Sequence, residues 1–452
     1  MFNAVYEAIF FGPTTYVVVF VLINLAWLYK FAVARRYEHK RRTGQTPTYP
    51  RHEYTVSTIV PYAGEDAKFF IQALKSVRAQ EGLKDHKIYV YMDAMGDPDA
   101  NDLEALAGAE LYADRIWKGN HKKKRFNLNF VVKQVELRLR ALGEELPQLM
   151  HLMDSDTYFP KTDVLYKMSQ PFADSNMGGG TTAQQAHLTN TSAERTGNLL
   201  EWGRRGLSLE ASNEYKAIPC LPGRSIMLRW EVASRHMTAL ANEHWGMWVP
   251  HLHGKFPFVL KWEMVECYAG DDRFLTDMLH LEGYDTFFMP DAVVETLLGE
   301  TRKKMYKQWW RWNTTSQHST LRRGRAMLKK KPTVVLFHTL DTFSAIGAVF
   351  LIWSWAAALV FGNTEALFPL SIMLGLSFLS MSLMLVTKNW RYFRQDWWRL
   401  LDVPATLYDF AWAVHFRVLA LFTPWRVRTW GTRVGVDDHT EKVFVEEHYW
   451  ER

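Results

Sequence analysis

Cys220 and Cys267 are the only cysteines in 452 residues, so no disulfide framework can hold this chain together. That scarcity fits a catalytic domain facing a reducing compartment. Charge of one sign is scarce too. A net charge of +6 with a pI near 9.0 is mild and dispersed, which argues against a nucleic-acid partner and leaves an anionic cytoplasmic leaflet as the expected counterpart. No internal repeat or low-complexity tract is present, which excludes a repeat array. What is abundant is apolar and aromatic: 48% apolar residues, with 19 Trp, 27 Phe and 19 Tyr, suffice for a sizeable core and point to membrane interfaces or sugar platforms.

The long apolar runs are unevenly placed. Residues 14–34 form a span-length stretch followed by Arg35, Arg36, Lys40, Arg41 and Arg42, which by the positive-inside bias puts the next segment in the cytosol. The stretch lacks the charged leader and small-residue cleavage site of a signal peptide, so an anchor that stays is expected. Two further runs, about 333–361 and 365–387, joined by "GNTE", read as a transmembrane hairpin. Asp341 inside the first of them should face protein or a pore.

Between anchor and hairpin the chain has soluble character. β-rich runs at 54–66, 86–99 and 148–159 alternate with helical patterns such as "FFIQALKSVRAQ". Alternation of this kind predicts an α/β domain with a mostly parallel sheet, helices on both faces, and ligands outside the strand C-terminal ends. Glu65, Asp93, Asp154 and Asp156 all fall there.

Several short motifs carry chemistry, each with a plainer alternative. "DSD" (154–156) can converge two carboxylates on one hard cation, or simply form an Asx turn. "GDD" (270–272) sets two carboxylates side by side, so that one can keep its charge while the other gains proton affinity near neutral pH; a helix cap is the plainer reading. The basic run His121–Arg125 includes Lys124 and Arg125 at a helix start, where a diphosphate would be welcome, and otherwise reads as a solvated face. Gln308, Arg311 and Trp312 share one helical face that could grip a diphosphate and stack on a sugar, or lie in the headgroup layer. The histidines of "HWGMWVPHLHGK" lack an oriented fourth ligand for zinc and read as an aromatic-rich segment.

Taken in order, Asp93, Asp154-Ser155-Asp156, Gly270-Asp271-Asp272 and Gln308-Trp309-Trp310-Arg311-Trp312 resemble the D, DxD, (T/G)(E/D)D and QxxRW series of the membrane-integrated processive family 2 glycosyltransferases, which include cellulose, chitin and hyaluronan synthases. Cys267 upstream of "GDDR", the "NMGGGTTAQQ" segment and "WGTR" at 430–433 look most similar to hyaluronan synthases. The resemblance implies a GT-A-like cytosolic domain that polymerises sugar from a UDP-sugar onto a growing polysaccharide with inversion, and carries the product across a lipid bilayer, as in cell-wall or capsule synthesis. It implies Asp272 as general base, and Asp154 and Asp156 as ligands for Mn²⁺ or Mg²⁺. Donor contacts would come from Glu65, Asp93, Lys124, Arg125, Asp154, Trp430 and Arg433, and acceptor contacts from Cys267, Asp271, Gln308, Arg311 and Trp312. A nonprocessive transferase acting once on a lipid-linked acceptor is the alternative.

The expected organisation is an anchor and basic segment (1–45), the cytosolic GT-A-like domain (46–300), an interfacial helix with the QxxRW motif (301–332), the transmembrane hairpin (333–387), interfacial or re-entrant helices (388–424), and a gating loop with the C-terminal tail (425–452). An external N-terminus, a cytosolic C-terminus and a plasma-membrane location follow from that scheme.

Overall fold

A computed structural model describes residues 13–428 apart from 94, 120–122 and 253–257. After the helix α1 (Pro13–Arg42) the chain builds β1 (Thr55–Tyr62), α2 (Ala67–Arg78), β2 (Asp85–Met92), α3 (Ala100–Tyr112), β3 (Arg115–Lys118), α4 (Lys124–Leu142), β4 (Leu149–Met153) and β5 (Thr157–Tyr158). Then come α5 (Val164–Ser169), β6 (Met177–Ala186), α6 (Ser192–Gly203), α7 (Glu210–Glu214), β7 (Ser225–Arg229), α8 (Trp230–Ala241), the hairpin β8 (His244–Leu252) and β9 (Phe258–Glu266), α9 (Asp271–Leu281) and β10 (Asp285–Thr296). The C-terminal helical part is α10 (Arg302–Lys330), α11 (Pro332–Val360), α12 (Thr364–Lys388), α13 (Trp390–Gln395) and α14 (Asp402–Leu421).

Eight strands form one sheet in the order β3-β2-β1-β4-β7-β6-β10-β5. The first four are mutually parallel and β6 runs parallel to β10, whereas β7 opposes both its neighbours and β5 opposes β10. The sheet is thus mixed, GT-A-like, and less parallel than alternation predicts. The reversal at β7 matters for the site: it sets the start of β7 beside the end of β4, with Met153 paired to Ser225.

Strand β1 reads "TVSTIVPY" without clean alternation because both of its faces are covered; all but its first residue are buried. One face packs Phe70, Leu74, Leu165 and Phe172, the other Val131, Val135, Trp230 and Phe274. Each such side chain contributes roughly 1.5–3 kcal/mol by leaving water. A polar chain crosses this apolar sheet. His86 Nε2 and Thr58 Oγ1 lie 2.8 Å apart, Thr58 Oγ1 and His151 Nδ1 3.1 Å, and His151 Nε2 and Ser225 Oγ 3.0 Å, so four adjacent strands are tied by side chains. Burial pushes His151 down to about 3, so the ring is neutral in the folded protein.

Three helices, Thr14–Arg42, Pro332–Val360 and Thr364–Lys388, are long and apolar enough to cross a membrane. They coincide with the three expected runs. Gly347 lets α1 and α11 approach, since a Cβ there would lie 2.8 Å from Ile23 Cδ1. Asp341 faces protein, as its position requires: it pairs with Lys30 of α1 and lies 4.0 Å from Arg417 of α14. The stretch expected as interfacial or re-entrant helices is α13, a 3-10 turn and α14. Asp409 of α14 is buried and paired within the protein: it accepts from Tyr306 (2.6 Å), Thr196 (2.8 Å) and Arg302 (3.0 Å).

Because His151 binds a proton readily only when unfolded, stability falls with acid. The unfolded ring titrates at 6.5 and the folded one at about 3, so moving from pH 7 to pH 5 should remove about 2 kcal/mol through this residue. Thermal melts in detergent at the two pH values should show a smaller acid loss for His151→Gln than for the parent chain; equal losses would contradict the neutral tie.

Candidate active site

The C-terminal ends of β1, β2 and β4 deliver Glu65, Asp93, Asp154 and Asp156 to one rim of the sheet, as the alternating pattern anticipates. Helix α4 begins at the same rim, and α9 begins opposite it. Gly270, at φ +81°, turns the chain into α9, and a Cβ there would lie 2.9 Å from Thr315 Cβ. Neither carboxylate of the "GDD" motif caps the helix through its side chain from the Gly270 position; both lie in the first turn, with Asp271 buried.

Lys124 joins these elements. Its Nζ lies 2.7 Å from Asp154 Oδ1 and 2.9 Å from Asp271 Oδ2. Burial alone would push its ammonium toward neutrality, but the Asp154 and Asp271 carboxylates overcome this and hold it above the ordinary lysine range. The two neighbouring aspartates are thereby driven apart. Burial pushes both up, yet Lys124 and then Arg125 pull Asp271 below the usual carboxylate range. Asp272, pushed up by burial and then by the charge of Asp271, goes the other way. Asp272 Oδ2 accepts from the Gly223 N–H at 3.3 Å, which holds it against the loop before β7.

Arg273 turns to Asp277 (3.3 Å) on its own helix and to Ser319 (3.4 Å) of α10. Arg125, expected at the donor phosphates, is buried and committed elsewhere: Nη1 donates to Glu243 (2.6 Å) and Nη2 to the Ala269 carbonyl (2.6 Å). Glu243 also pairs with Arg322 and Arg323, and Arg323 with Asp277, so buried charge locks α4, α9, α10 and the base of the β8–β9 hairpin behind the aspartates. Such a network positions; it does not reach the rim.

Among the other expected residues, Asp93 accepts from Asn127 Nδ2 at 2.8 Å, and Glu65 accepts from the Ala63 N–H at 2.8 Å in the loop after β1. Gln308, Arg311 and Trp312 are half-buried on successive turns of α10. Trp312 reaches the site, where the Arg224 guanidinium lies 5.4 Å from its ring centroid. Cys267 is not at an open rim. It is buried among Met247, Val249 and Val265 with Trp425 against it, and its Sγ lies 3.4 Å from His318 Nε2. Burial pushes its thiol up to about 12. Trp430 and Arg433 lie outside the described residues.

Sequence reasoning missed Asn127, Gly223 and Arg224. Asn127 sits one turn after Lys124 on α4, a spacing that could have found it. The "PGR" tripeptide offered no spacing signal; it joins the site because β7 is antiparallel to β4, with the Asp154 N–H donating to the Arg224 carbonyl at 3.3 Å.

Asp154 and Asp156 supply only hard oxygen donors, and no group of three or more His, Cys, Asp or Glu side chains able to hold a metal occurs among the described residues. Burial, and then the charges of Asp154 and Glu65, raise the Asp156 carboxyl to about 7, although Arg224 opposes them. Such crowded negative charge fits a divalent hard cation whose remaining ligands come from a diphosphate.

The model of the family "Glycosyltransferase like family 2" matches residues 53–315. An N-acetylglucosaminyltransferase of Rhizobium leguminosarum bv. viciae is 24% identical over 291 residues, covering 63% of this chain and 62% of that protein. Another, of Rhizobium meliloti (strain 1021), is 24% identical over 271 residues, covering 59% and 56%. The chain therefore spans about three fifths of the length of these curated relatives. A mannosyltransferase from Pyrobaculum calidifontis, solved with GDP-Man and Mn²⁺, shares the fold at TM-score 0.53 and 15% identity, over 86% of this chain and 99% of its own.

With a pKa of about 12, Cys267 has on the order of one thiolate in ten thousand molecules at pH 8. Intact-mass analysis after iodoacetamide at pH 8 should show no adduct on Cys267 in the folded protein and full alkylation in urea. Rapid modification of the folded protein would place Cys267 in an open pocket instead.

Proposed function

The chain belongs to glycosyltransferase like family 2, and from that premise we propose that it is a membrane-bound inverting transferase that moves a hexosyl unit from a UDP-sugar to a growing polysaccharide and passes the polymer across the bilayer. The observation that supports this best is the splitting of two adjacent carboxyls: Lys124 pins Asp271 as an anion, while Asp272 keeps a raised proton affinity at the mouth of the site. A base matched to a sugar hydroxyl needs that poise.

In the reaction, Asp272 takes the proton of the acceptor hydroxyl as its oxygen bonds to the anomeric carbon. The bond from that carbon to the diphosphate oxygen breaks, and UDP departs with the electron pair, which inverts the anomeric centre. Asp154 and Asp156 would hold Mn²⁺ or Mg²⁺, which when bound neutralises charge on the departing diphosphate. Lys124 adds a second positive charge at the same rim, and Asp93, fixed by Asn127, and Glu65 flank the nucleoside. Trp312 offers its face to the terminal sugar, with Gln308 one turn earlier and Arg311 beside it on the same helix. Arg125 and Asp271 act by positioning.

The two named relatives make N-acetylglucosamine the first sugar to try. Three candidate spans and the basic C-terminal end of α1 support a cytosolic active site, an external N-terminus and a cytosolic C-terminus at the plasma membrane.

Purified chain given labelled UDP-sugars and GDP-mannose with Mn²⁺ should turn over UDP-N-acetylglucosamine, lose activity in EDTA, and yield a polymer ladder on a gel. Asp272→Asn should lower turnover by roughly 10²–10⁴ with UDP affinity within a few fold. Near-normal turnover would remove Asp272 as the base. A single-sugar lipid product would replace the polymer reading with one-step transfer.

A further inference from the structure

Arg224 is a buried charged residue beside the aspartate motifs whose hydrogen bonding is incomplete. It is 6% exposed, and its Nη2 has no hydrogen-bond partner among the described residues. Nη1 is spent: it donates to Glu201 Oε1 at 2.9 Å and to Gln184 Oε1 at 3.1 Å. A buried guanidinium N–H left without an acceptor costs more than a neutral one and is retained where a ligand supplies the missing atom.

Its surroundings say which ligand. The guanidinium carbon lies 5.4 Å from the Trp312 ring centroid, the preceding Gly223 N–H holds Asp272, and the Arg224 carbonyl holds the Asp154 N–H. Arg224 therefore stands between the aromatic face and the two aspartate motifs. A sugar stacked on an indole presents its hydroxyl and amide oxygens at the ring edge, within reach of a neighbouring donor. Glu201 already pairs with this guanidinium, Asp272 is held on the preceding residue and Asp154 on the Arg224 carbonyl, so a carboxylate brought to Nη2 would meet like charge where a neutral oxygen would not.

We infer that Arg224 is a specificity-determining residue for the acceptor: Nη2 donates to a neutral edge oxygen, hydroxyl or N-acetyl carbonyl, of the terminal sugar on Trp312. Uronic-acid ends are then poor acceptors. The inference rests on the transferase reading above, and deepens it by assigning the neutral class of acceptor end.

Arg204 provides the control. It donates to the same two partners, Glu201 at 2.8 Å and Gln184 at 3.0 Å. Calorimetry on the full chain in detergent with UDP and Mn²⁺ would use two probes, the β-1,4-linked tetramer of N-acetylglucosamine and a tetramer of glucuronic acid. The parent chain should bind the neutral tetramer at least tenfold more tightly. Arg224→Met should weaken neutral binding at least tenfold with UDP affinity within about twofold, while Arg204→Met stays within about twofold of the parent. Should Arg224→Met fail to fold, judged by lost UDP binding, Arg224→Lys gives the reading, with the same tenfold loss expected. Equal losses for Arg224→Met and Arg204→Met, no loss for either, no preference between tetramers, or no binding by the parent chain would overturn the inference. Turnover of UDP-N-acetylglucosamine is scored separately: binding as expected without transfer would sink the transferase reading alone.

Discussion

The site hangs on one ammonium group. Lys124 is the first residue of α4, and its two carboxylate partners come from β4 and α9, elements that share no local sequence with it. An ion pair inside a protein is stabilising only when its charges are well paired, because desolvation otherwise outweighs attraction. Here a single cation satisfies two anions, which fixes the distance between the "DSD" turn and the "GDD" helix start. The same interaction that holds three elements together therefore sets how far apart the two aspartate motifs stand.

A second layer of charge keeps that spacing rigid. Glu243 receives three guanidinia, from Arg125, Arg322 and Arg323, and Asp277 receives two, from Arg273 and Arg323. Arg273 and Asp277 lie on α9 itself, whose Phe274 and Leu275 pack into the core beside them. Removing any one carboxylate would strand buried cations, at a cost of roughly 3–5 kcal/mol. The rim is thus backed by charges that are already paired.

Much of this arrangement was legible in the chain because it is local. "DSD" and "GDD" announce themselves as short spacings at predicted element ends, and three apolar runs of span length announce three candidate spans. What was hidden is what depends on the fold. Lys124 is 30 residues from Asp154 and its double pairing needs the third element, α9, to arrive. Arg125 looked equivalent to Lys124, yet one step along a helix turns a side chain by about 100°, away from the rim and into the Glu243 network. Arg224 sits in an unremarked loop and becomes part of the site through a strand reversal that periodicity cannot show. Cys267 matched a motif in position but lies under the β8–β9 hairpin, where burial silences it.

The pairing of Lys30 with Asp341 also sets a clock. The two residues are 311 positions apart, so at roughly 5–20 residues per second the ribosome completes Asp341 about 15–60 s after Lys30 has emerged. During that interval α1 holds a cation in its apolar stretch without the carboxylate that pairs it in the folded chain. The first helix therefore cannot take its final contacts until α11, made later in synthesis, supplies both Asp341 and the close approach at Gly347.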